Sequence, residues 1–220
     1  VPILLEHLGG DDPGLARAAI WVAYHELPGS DVTRLLAEAL PGLAREQRLW
    51  LAGALCRRAD PTALPALLRC VEQGDAELRA TVLRMLPYFG ARATSALAAA
   101  IGAADQSVSR AAENALGATP GPEATVAIVA LLTDAEQARR LAGIRLAGVR
   151  GLVEARSGLV RSANAADAVE RLAALKVLAD LASPAEVAPL LDGLARFPDG
   201  PTREAVGRAL AAACKADPEP

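Results

Sequence analysis

The chain has 220 residues and a formal net charge of −3, and 52% of its residues are hydrophobic but only 3% aromatic. This acidic balance argues against a general nucleic-acid binder, although a local basic stripe can exist within an acidic whole. No apolar run approaches the ~18 residues of a membrane span, so we expect no membrane segment and close packing of helices rich in Ala, Leu and Val.

The cysteines and the start of the chain set further expectations. Cys56, Cys70 and Cys214 are odd in number and lack metal-ligand spacing, so they fit reduced thiols in a cytoplasmic protein. The sequence shows no signal peptide, and it opens at Val1-Pro2 without Met, partway into a first helix. We therefore expect a cytoplasmic protein whose chain is part of a longer one.

A segment that returns every 30 to 32 residues organises the chain, and its clearest copy is DAELRATVLRML at 75–86. Asp75 stands where an N-cap carboxylate accepts backbone N–H bonds, and Arg79 follows four residues later. Positions three and seven after Arg79 are apolar in every copy, which predicts one buried helix face. The arginine position reads Ala16, Arg48, Arg79, Ser109, Arg139, Arg171 and Arg203. The aspartate recurs as Asp12, Asp75, Asp105, Asp167 and Asp199, with Asp134 one residue out of phase and Ala44 as the substitute in the second copy.

A shorter apolar segment precedes each copy, so each repeat is predicted to be a pair of helices. Pro65 and Pro189 fall at the same point of two first helices, which should start late or kink there. The first helices are predicted at 3–8, 32–40, 63–71, 95–101, 126–132, 158–163 and 186–194. Turns are predicted at Pro28-Gly29-Ser30, Asp60-Pro61, Gly90, Pro120-Gly121-Pro122, Gly151 and Ser183-Pro184.

This pattern resembles the HEAT repeat, specifically the short bacterial kind known from phycobilisome lyases, whose second helix has a pattern like D-x-x-V-R-x-A-A-x-x-A-L-G. The closest copies are VSRAAENALG at 108–117 and TREAVGRAL at 202–210. The resemblance covers essentially the whole chain and implies an all-α, right-handed α-solenoid of about seven helical hairpins, in a single domain over 1–220. The approximate repeats are 1–29, 30–59, 60–91, 92–120, 121–150, 151–183 and 184–216.

Residues that could start a reaction are scarce. His7 and His25 are the only histidines and belong to different helices of the first repeat, where surface or packing roles are expected. The sequence has no HExxH, GxSxG or Walker A motif and no cysteine pair at zinc spacing. Gly143, Gly148 and Gly151 are in helical phase and lack the strand that a dinucleotide loop needs. We expect no enzymatic activity, no cofactor and no metal.

The repeated Asp and Arg positions have a structural interpretation. In repeats of this kind an Arg near the start of one second helix can bond the Asp cap or the carbonyl ends of its neighbour and tie layers together. Ser109 and Ala16 interrupt the series, which predicts a weaker joint between the third and fifth repeats and an irregular first repeat. The residues assigned to this ladder are Arg48, Asp75, Arg79, Arg139, Arg171, Asp199 and Arg203.

Large amphipathic side chains are concentrated near the start of the chain. Trp21, Tyr24 and His25 lie in the first repeat and Trp50 in the second. One interpretation packs both tryptophans between neighbouring second helices as oversized core residues. The other exposes Trp21 and Tyr24 at one end as an anchor for a partner.

A basic stripe is predicted on the concave side, which second helices line in HEAT-like stacks. Residues one and five positions after the ladder arginine should point away from the first helices. From the third repeat onward each layer supplies one cation there, and only Glu204 opposes them. The alternative is a solvated helix face whose arginines pair with Glu113 or neighbouring acids. The cations are Arg84, Arg110, Arg140, Lys176 and Arg208.

These patterns favour a non-enzymatic scaffold or adaptor that binds an acidic protein segment along the concave face, anchored near Trp21 and Tyr24. The resemblance implies an alternative, an accessory bilin lyase or chaperone-lyase subunit, and a further one, a HEAT-like nucleic-acid-binding protein. The apolar face of the last helix, with Val206 and Leu210, also predicts end-to-end self-association of the chain.

Overall fold

The computed structural model describes residues 2–197 and 199–215, and in these residues it contains α- and 3₁₀-helices but no β-strand. First and second helices of the predicted repeats alternate along the chain, which makes it an all-α helical-repeat protein of the solenoid class, as the periodicity predicts. The number of repeats and the handedness stay predictions. The α-helices are Pro2–Leu8 (α1), Pro13–His25 (α2), Ser30–Ala39 (α3), Arg45–Arg58 (α4), Leu64–Gln73 (α5), Ala76–Met85 (α6), Thr94–Ala100 (α7), Gln106–Ala118 (α8), Pro122–Leu131 (α9), Gln137–Arg150 (α10), Arg156–Ala163 (α11), Ala168–Leu181 (α12), Val187–Arg196 (α13) and Gly200–Lys215 (α14).

The helices form two compact units, 1–120 and 121–220, and each is described by itself. The boundary falls at the predicted turn Pro120-Gly121-Pro122, where Gly121 has a φ of 100° that favours glycine. Short 3₁₀ segments occupy five of the connections, at Leu40–Gly42, Pro61–Ala63, Leu86–Ala93, Val153–Ala155 and Pro184–Glu186.

Both prolines inside the predicted first helices lie in a first helical turn. Pro65 is the second residue of α5 and Pro189 the third of α13, and a 3₁₀ segment precedes each helix. Proline is tolerated there because the first N–H groups of a helix have no partner inside it. The prolines therefore delay the start of these helices, which is one of the two predicted outcomes.

The apolar columns of the repeat form the cores of the two units. In the first unit the positions three and seven after the ladder residue are buried on α2, α4 and α8, and also at Val82 of α6 and at Leu86 directly after it. In the second unit the same positions are buried on α10, α12 and α14, except that Leu210 is half-buried. This burial removes apolar surface from water and supplies most of the driving force for folding.

Two glycines of RLAGIRLAGVRG serve close helix packing inside α10. A Cβ on Gly143 would lie 2.9 Å from the Cβ of Leu131, and one on Gly148 would lie 2.9 Å from Cγ2 of Val177. Real Cβ atoms do not approach other atoms so closely, so a larger residue would push the helices apart. The segment is helical, as its phase predicts, and no dinucleotide loop is formed.

The repeated aspartates cap the second helices. Oδ1 of Asp75 accepts a hydrogen bond from the N–H of Leu78 at 2.9 Å, and Asp12, Asp105, Asp167 and Asp199 accept equivalent bonds from the first turns of α2, α8, α12 and α14. Each bond satisfies a donor that the helix itself leaves unpaired. The sequence prediction of N-caps is confirmed at these positions.

The copy with the shifted Asp134 and the copy with Ala44 in place of the aspartate are hydrogen-bonded differently. Asp134 accepts from the N–H of Glu136 at 3.0 Å and from Nε of Arg139 at 2.7 Å. In the copy that lacks the aspartate, Oε1 of Gln47 accepts the N–H of Ala44 at 3.2 Å.

Replacing Asp105 with Asn is expected to make stability less sensitive to acid. Hydrogen bonds from Ser107 and from the Val108 N–H lower the pKa of the Asp105 carboxyl. A carboxyl whose pKa is lower in the folded state stabilises the fold above its unfolded value of about 3.9, and that stabilisation disappears as pH falls through the folded value. Asn caps helices as well as Asp but does not titrate in this range.

Melting temperatures measured from about pH 7 down to about pH 2 check this expectation. The Asp105→Asn protein should lose less of its melting temperature on acidification than the unmodified protein. Asp180→Asn, a change on an exposed part of α12, is the matched control and should leave the pH dependence unchanged. Parallel curves for Asp105→Asn and the unmodified protein would contradict the assignment.

The ladder arginines mostly bond within their own repeat, which differs from the predicted role. Nη2 of Arg48 donates to the carbonyls of Pro41 and Leu43 at 3.2 and 2.9 Å, and Nε of Arg79 donates to the Val71 carbonyl at 2.8 Å. These bonds satisfy carbonyls at the ends of first helices or in the connections after them. Arg139 likewise pairs with Asp134 of its own repeat, and the side chain of Arg203 is exposed.

The contacts of Arg171 reach the next repeat, which is the role predicted for the ladder position. Its Nε donates to Oγ1 of Thr202 at 3.1 Å, its Nη2 lies 3.4 Å from Oδ2 of Asp199, and its guanidinium lies 4.2 Å from the centre of the Phe197 ring. Nη1 also bonds the carbonyls of Ala165 and Ala166. This side chain is buried, so the contacts join α12 to the start of α14 with little screening by solvent.

Candidate functional site

Three second helices, α2, α4 and α6, line a groove of about 400 Å³ in the first unit. This volume lies within the range of ligand-binding sites. The part of its lining that comes from α4 and α6 includes Leu49, Gly53, Thr81 and Met85. A Cβ on Gly53 would lie 4.0 Å from the Met85 sulfur, an ordinary contact distance. The missing side chain at Gly53 therefore contributes open space to the groove.

Aromatic rings form one wall of the groove. Trp21 is 55% exposed and stacks on His25, with ring centres 4.5 Å apart and an angle of 26° between the planes. Tyr24 meets the same imidazole edge-on, also at 4.5 Å. Nδ1 of His25 lies 3.0 Å from the carbonyl oxygen of Trp21. The imidazole thus holds both aromatic rings in place, and a large apolar surface stays open to solvent.

Two arginines lie against these rings. The guanidinium carbon of Arg17 lies 4.3 Å from the centre of the Trp50 ring, and that of Arg57 lies 5.6 Å from the centre of the Tyr24 ring. Both distances are within the range of cation–π attraction. Both side chains are exposed, so their remaining N–H groups face solvent at the mouth of the groove.

The charge of the groove is one-sided. Among the described residues that line it, Arg17 and Arg57 are the charged ones, and none is Asp or Glu. In a protein with a net charge of −3, this places positive potential beside exposed aromatic surface. The arrangement suits a ligand that carries a carboxylate or phosphate next to an apolar group. It lacks the carboxylate that an aromatic-plus-carboxylate cluster of a nucleic-acid enzyme would need.

The structure places the predicted anchor residues in this groove. Trp21 follows the exposed interpretation, whereas Trp50 is half-buried between α2 and α4 and packs under Arg17. Tyr24 is half-buried at the groove wall. The packed interpretation therefore does not hold for Trp21, and the exposed interpretation holds for Trp21 but not fully for Tyr24.

The predicted basic stripe is only partly exposed. Arg84 lies on the surface with Nη2 3.1 Å from Oγ1 of Thr81, and Arg110 and Lys176 are also exposed. Arg208 is exposed and pairs with Glu204 at 2.7 Å, which matches the alternative of a solvated face. At the same helix offsets, however, Ala80 and Ile144 are buried, so the predicted register does not hold in every repeat.

Arg140 does not belong to an open binding face. Its Nη2 lies 2.8 Å from Oε2 of Glu170, its Nε lies 3.0 Å from both carboxylate oxygens, and its Nη1 donates to the carbonyls of Asp134 and Ala135. The Glu170 side chain is only 4% exposed. These bonds raise the pKa of the Arg140 guanidinium, mainly through Glu170. Its charge is used inside the second unit, which corrects its assignment as a partner-binding cation.

Sequence reasoning missed His25, Met85 and Arg57 as groove residues, whereas Arg17 stands one position after the ladder residue, at an offset predicted for the concave side. Trp21 and His25 are four residues apart, as are Gly53 and Arg57, so each pair shares a helix face. Extending the predicted face by one helical turn finds His25 and Arg57. On α6 the groove is lined by Thr81 and Met85, which stand one position later, relative to the ladder residue, than the lining residues Arg17 and Trp21 of α2. No pattern in a single sequence indicates this shift.

The residues that the structure describes contain neither a metal-ligand cluster nor a helix of membrane-spanning character. No cluster of three or more His, Cys, Asp or Glu side chains there is placed to hold a metal ion. None of the helices in that part of the chain combines the length and hydrophobicity that crossing a bilayer would require.

No protein-family model and no curated protein sequence matches the chain. Among solved structures it is similar to human deoxyhypusine hydroxylase in complex with glycerol, at 16% identity and a TM-score of 0.46, over 97% of this chain and 96% of that one. It is also similar to the CpcE–CpcF complex of phycocyanin lyase from Nostoc, at 18% identity and a TM-score of 0.46, over 96% of this chain and 94% of that one. An engineered protein has 18% identity and a TM-score of 0.42. At such low identities and TM-scores these similarities assign no function, and the HEAT type of the repeat stays a prediction.

Proposed function

We propose that the protein is a non-enzymatic scaffold or adaptor whose groove on α2, α4 and α6 binds a short acidic segment of a partner protein. The observation that supports this is the pairing of exposed aromatic surface at Trp21 with the guanidinium groups of Arg17 and Arg57, without a carboxylate in the described groove lining. An apolar side chain of the segment would pack against Trp21. Neighbouring carboxylates would pair with the two arginines.

Trp21 and the two arginines would contribute to binding in different ways. Tryptophan and arginine supply much of the energy at protein interfaces, because they bury a large area and their charges or N–H groups lose competing water. The exposed arginines mainly steer the acidic partner and speed its association, an effect that salt screens over about 8–10 Å. The proposal therefore predicts binding that is both Trp21-dependent and salt-sensitive.

Fluorescence polarisation with labelled peptides of equal length tests the proposal. One peptide alternates acidic and large apolar residues, a second is acidic without apolar residues, and a third replaces every acid by lysine. The first should bind best and lose affinity as salt rises, and the third should not bind. Trp21→Ala should weaken binding of the first peptide by about tenfold or more.

Two matched variants separate groove binding from general surface effects. Tyr88→Ala removes another exposed aromatic ring of the first unit, 62% exposed and outside the groove, and should bind like the unmodified protein. Gly53→Leu should fill the groove and abolish binding while both arginines remain. Equal affinity for the acidic and lysine peptides, or normal binding by Gly53→Leu, would refute the proposal.

Binding measurements with two other ligands distinguish the alternatives inferred from the sequence. A linear tetrapyrrole that binds in a Trp21-dependent way, detected by its visible absorbance, would favour the lyase-type subunit if the acidic peptides fail to bind. Tight binding of a labelled oligonucleotide, again without peptide binding, would favour a nucleic-acid-binding protein.

A further inference from the structure

A second, smaller pocket of the first unit lies apart from the aromatic groove. It has a volume of about 240 Å³ and is bounded by the turn after α3, the start of α4, and helix α5 with the residues that follow it. Its polar lining consists of Arg48, Arg69, Gln73 and the thiol of Cys70. As in the groove, none of the described residues in its lining is Asp or Glu.

Arg48 has hydrogen-bonding capacity that the protein leaves unused. Its Nη2 donates to the carbonyls of Pro41 and Leu43, which fixes the orientation of the guanidinium. Its Nε is buried and has no acceptor among the described residues. A buried N–H without an acceptor destabilises a fold, so such a group calls for an explanation.

Arg69 adds a second charge to the same pocket. It projects from α5, is exposed, and has no carboxylate partner among the described residues. Asp75 directly follows the lining residue Gly74, and its carboxylate is already bound by Arg45 at 2.9 Å and by the Leu78 N–H. The positive charge of the two pocket arginines is therefore not neutralised from that side.

The thiol of Cys70 lies within the field of both arginines. Burial raises the pKa of Cys70, and the charges of Arg48 and Arg69 act in the opposite direction. Cys70, Arg48 and Arg69 line the same pocket, so the reactivity of the thiol reports on the charge there.

We infer that Arg48 and Arg69 form a binding site for a small oxyanion, a phosphate group or a carboxylate, in the pocket beside Cys70. Guanidinium groups bind such anions through charge-assisted hydrogen bonds, and a pocket of this size holds a small anion rather than a large ligand. An anion there would offer acceptors to the N–H groups by which Arg48 lines the pocket. It would also join the α3–α4 turn to α5, and so link two neighbouring repeats.

Competition between two thiol reagents tests this site. Iodoacetate is an anion and iodoacetamide is neutral, and both alkylate a thiolate with loss of iodide. Mass spectrometry of each cysteine gives the labelling rate with iodoacetate divided by the labelling rate with iodoacetamide. At Cys70 the ratio should fall by about threefold to tenfold in Arg69→Gln, because the variant no longer concentrates the anionic reagent. Cys214 is exposed in the second unit and serves as the internal reference, whose ratio should not change.

Inorganic phosphate supplies the second measurement. It should slow iodoacetamide labelling of Cys70 in a saturable way and raise the melting temperature, whereas chloride at equal ionic strength should do neither. Acetate in place of phosphate separates a carboxylate site from a phosphate site. Arg92→Gln removes an exposed arginine outside the pocket and is the matched control. An unchanged reagent ratio in Arg69→Gln, or equal effects of phosphate, acetate and chloride on melting temperature, would overturn the inference.

Discussion

Arg58→Met is expected to lower the free energy of unfolding of the first unit by about 3 kcal/mol. Nη1 of Arg58 donates to the carbonyls of Ala23 and Leu27 at 2.5 and 2.9 Å, Nη2 to that of Gly29 at 3.1 Å, and Nε to Oγ1 of Thr33 at 2.9 Å. The guanidinium at the end of α4 thus closes the end of α2, the following turn and the start of α3. It satisfies carbonyls that a helix end leaves without an intrahelical donor.

Methionine keeps most of the apolar stem of Arg58 but donates no hydrogen bonds. The carbonyls of Ala23 and Leu27 and the buried hydroxyl of Thr33 then lose the bonds that Arg58 donates, whereas the Gly29 carbonyl keeps those from the N–H and hydroxyl of Thr33. Each such loss costs about 1–3 kcal/mol before relaxation and access of water reduce the sum. The four bonds share one guanidinium, so their contributions are not additive. These considerations set the expected loss near the value of one or two fully formed bonds.

Tryptophan fluorescence during urea unfolding measures this change, because Trp21 and Trp50 are the only tryptophans and both belong to the first unit. Arg57→Met is the matched control, since it removes the adjacent exposed arginine of α4. Its free energy of unfolding should change by less than about 1 kcal/mol. Equal midpoints for Arg58→Met and Arg57→Met would show that the bonds of Arg58 contribute little.

Most of the fold is predictable from the sequence because the repeat presents the same physical requirement in every copy. The columns represented by Val82 and Leu86 must be buried on one side, and Asp75 stands directly before the helix, where a carboxylate caps it. Helix starts at Pro13, Gln106 and Ala168 follow directly from these caps. Local patterns of this kind do not depend on which helices become neighbours.

The contacts between repeats are less predictable. The repeat pattern assigns them to the ladder arginines, but Arg45 and Arg58 make several of them. Arg45 lies three residues before its ladder residue, and it bonds Asp75 and Glu77. Arg58 lies at the opposite end of the same helix and bonds carbonyl oxygens, which leave no trace in the sequence. Side chains that bind backbone carbonyls need no particular residue type opposite them, so no sequence pattern could reveal this partner.

A different signal was present for the ion pairs. The partners of Arg45 and Arg140 are Asp75 and Glu170, each 30 residues further on, and that of Arg171 is Thr202, 31 residues further on. One repeat period brings equivalent positions of successive second helices side by side. Opposite charges one period apart are therefore candidates for contacts between repeats. By this criterion the sequence itself places Arg140 in an ion pair with Glu170 and not on an open binding face.

Arg140→Met is expected to destabilise the second unit by about 3 kcal/mol, near the lower end of the range for breaking a buried ion pair. The Glu170 side chain is 4% exposed, and that of Arg140 is 25% exposed. Without Arg140, the carboxylate of Glu170 stays buried and loses the cation that it pairs with. The variant also leaves the carbonyls of Asp134 and Ala135 without the donor that they share.

The double variant Arg140→Met with Glu170→Met should be more stable than Arg140→Met alone. Removing both partners leaves no buried charge, and apolar side chains of similar length can occupy the same space. The recovered free energy therefore measures the cost of the unpaired carboxylate, while the remaining deficit measures the bonds to Asp134 and Ala135.

Hydrogen exchange of peptides from α10 and α12, read as local opening free energies, measures these changes within the second unit. Arg161→Met is the matched control, because it removes an exposed arginine of α11 and should leave exchange almost unchanged. Faster exchange in α10 and α12 of Arg140→Met, partly restored in the double variant, is the expected result. If Arg140→Met exchanges like Arg161→Met, the ion pair with Glu170 is not formed in solution, and Arg140 returns to the set of cations available to a partner.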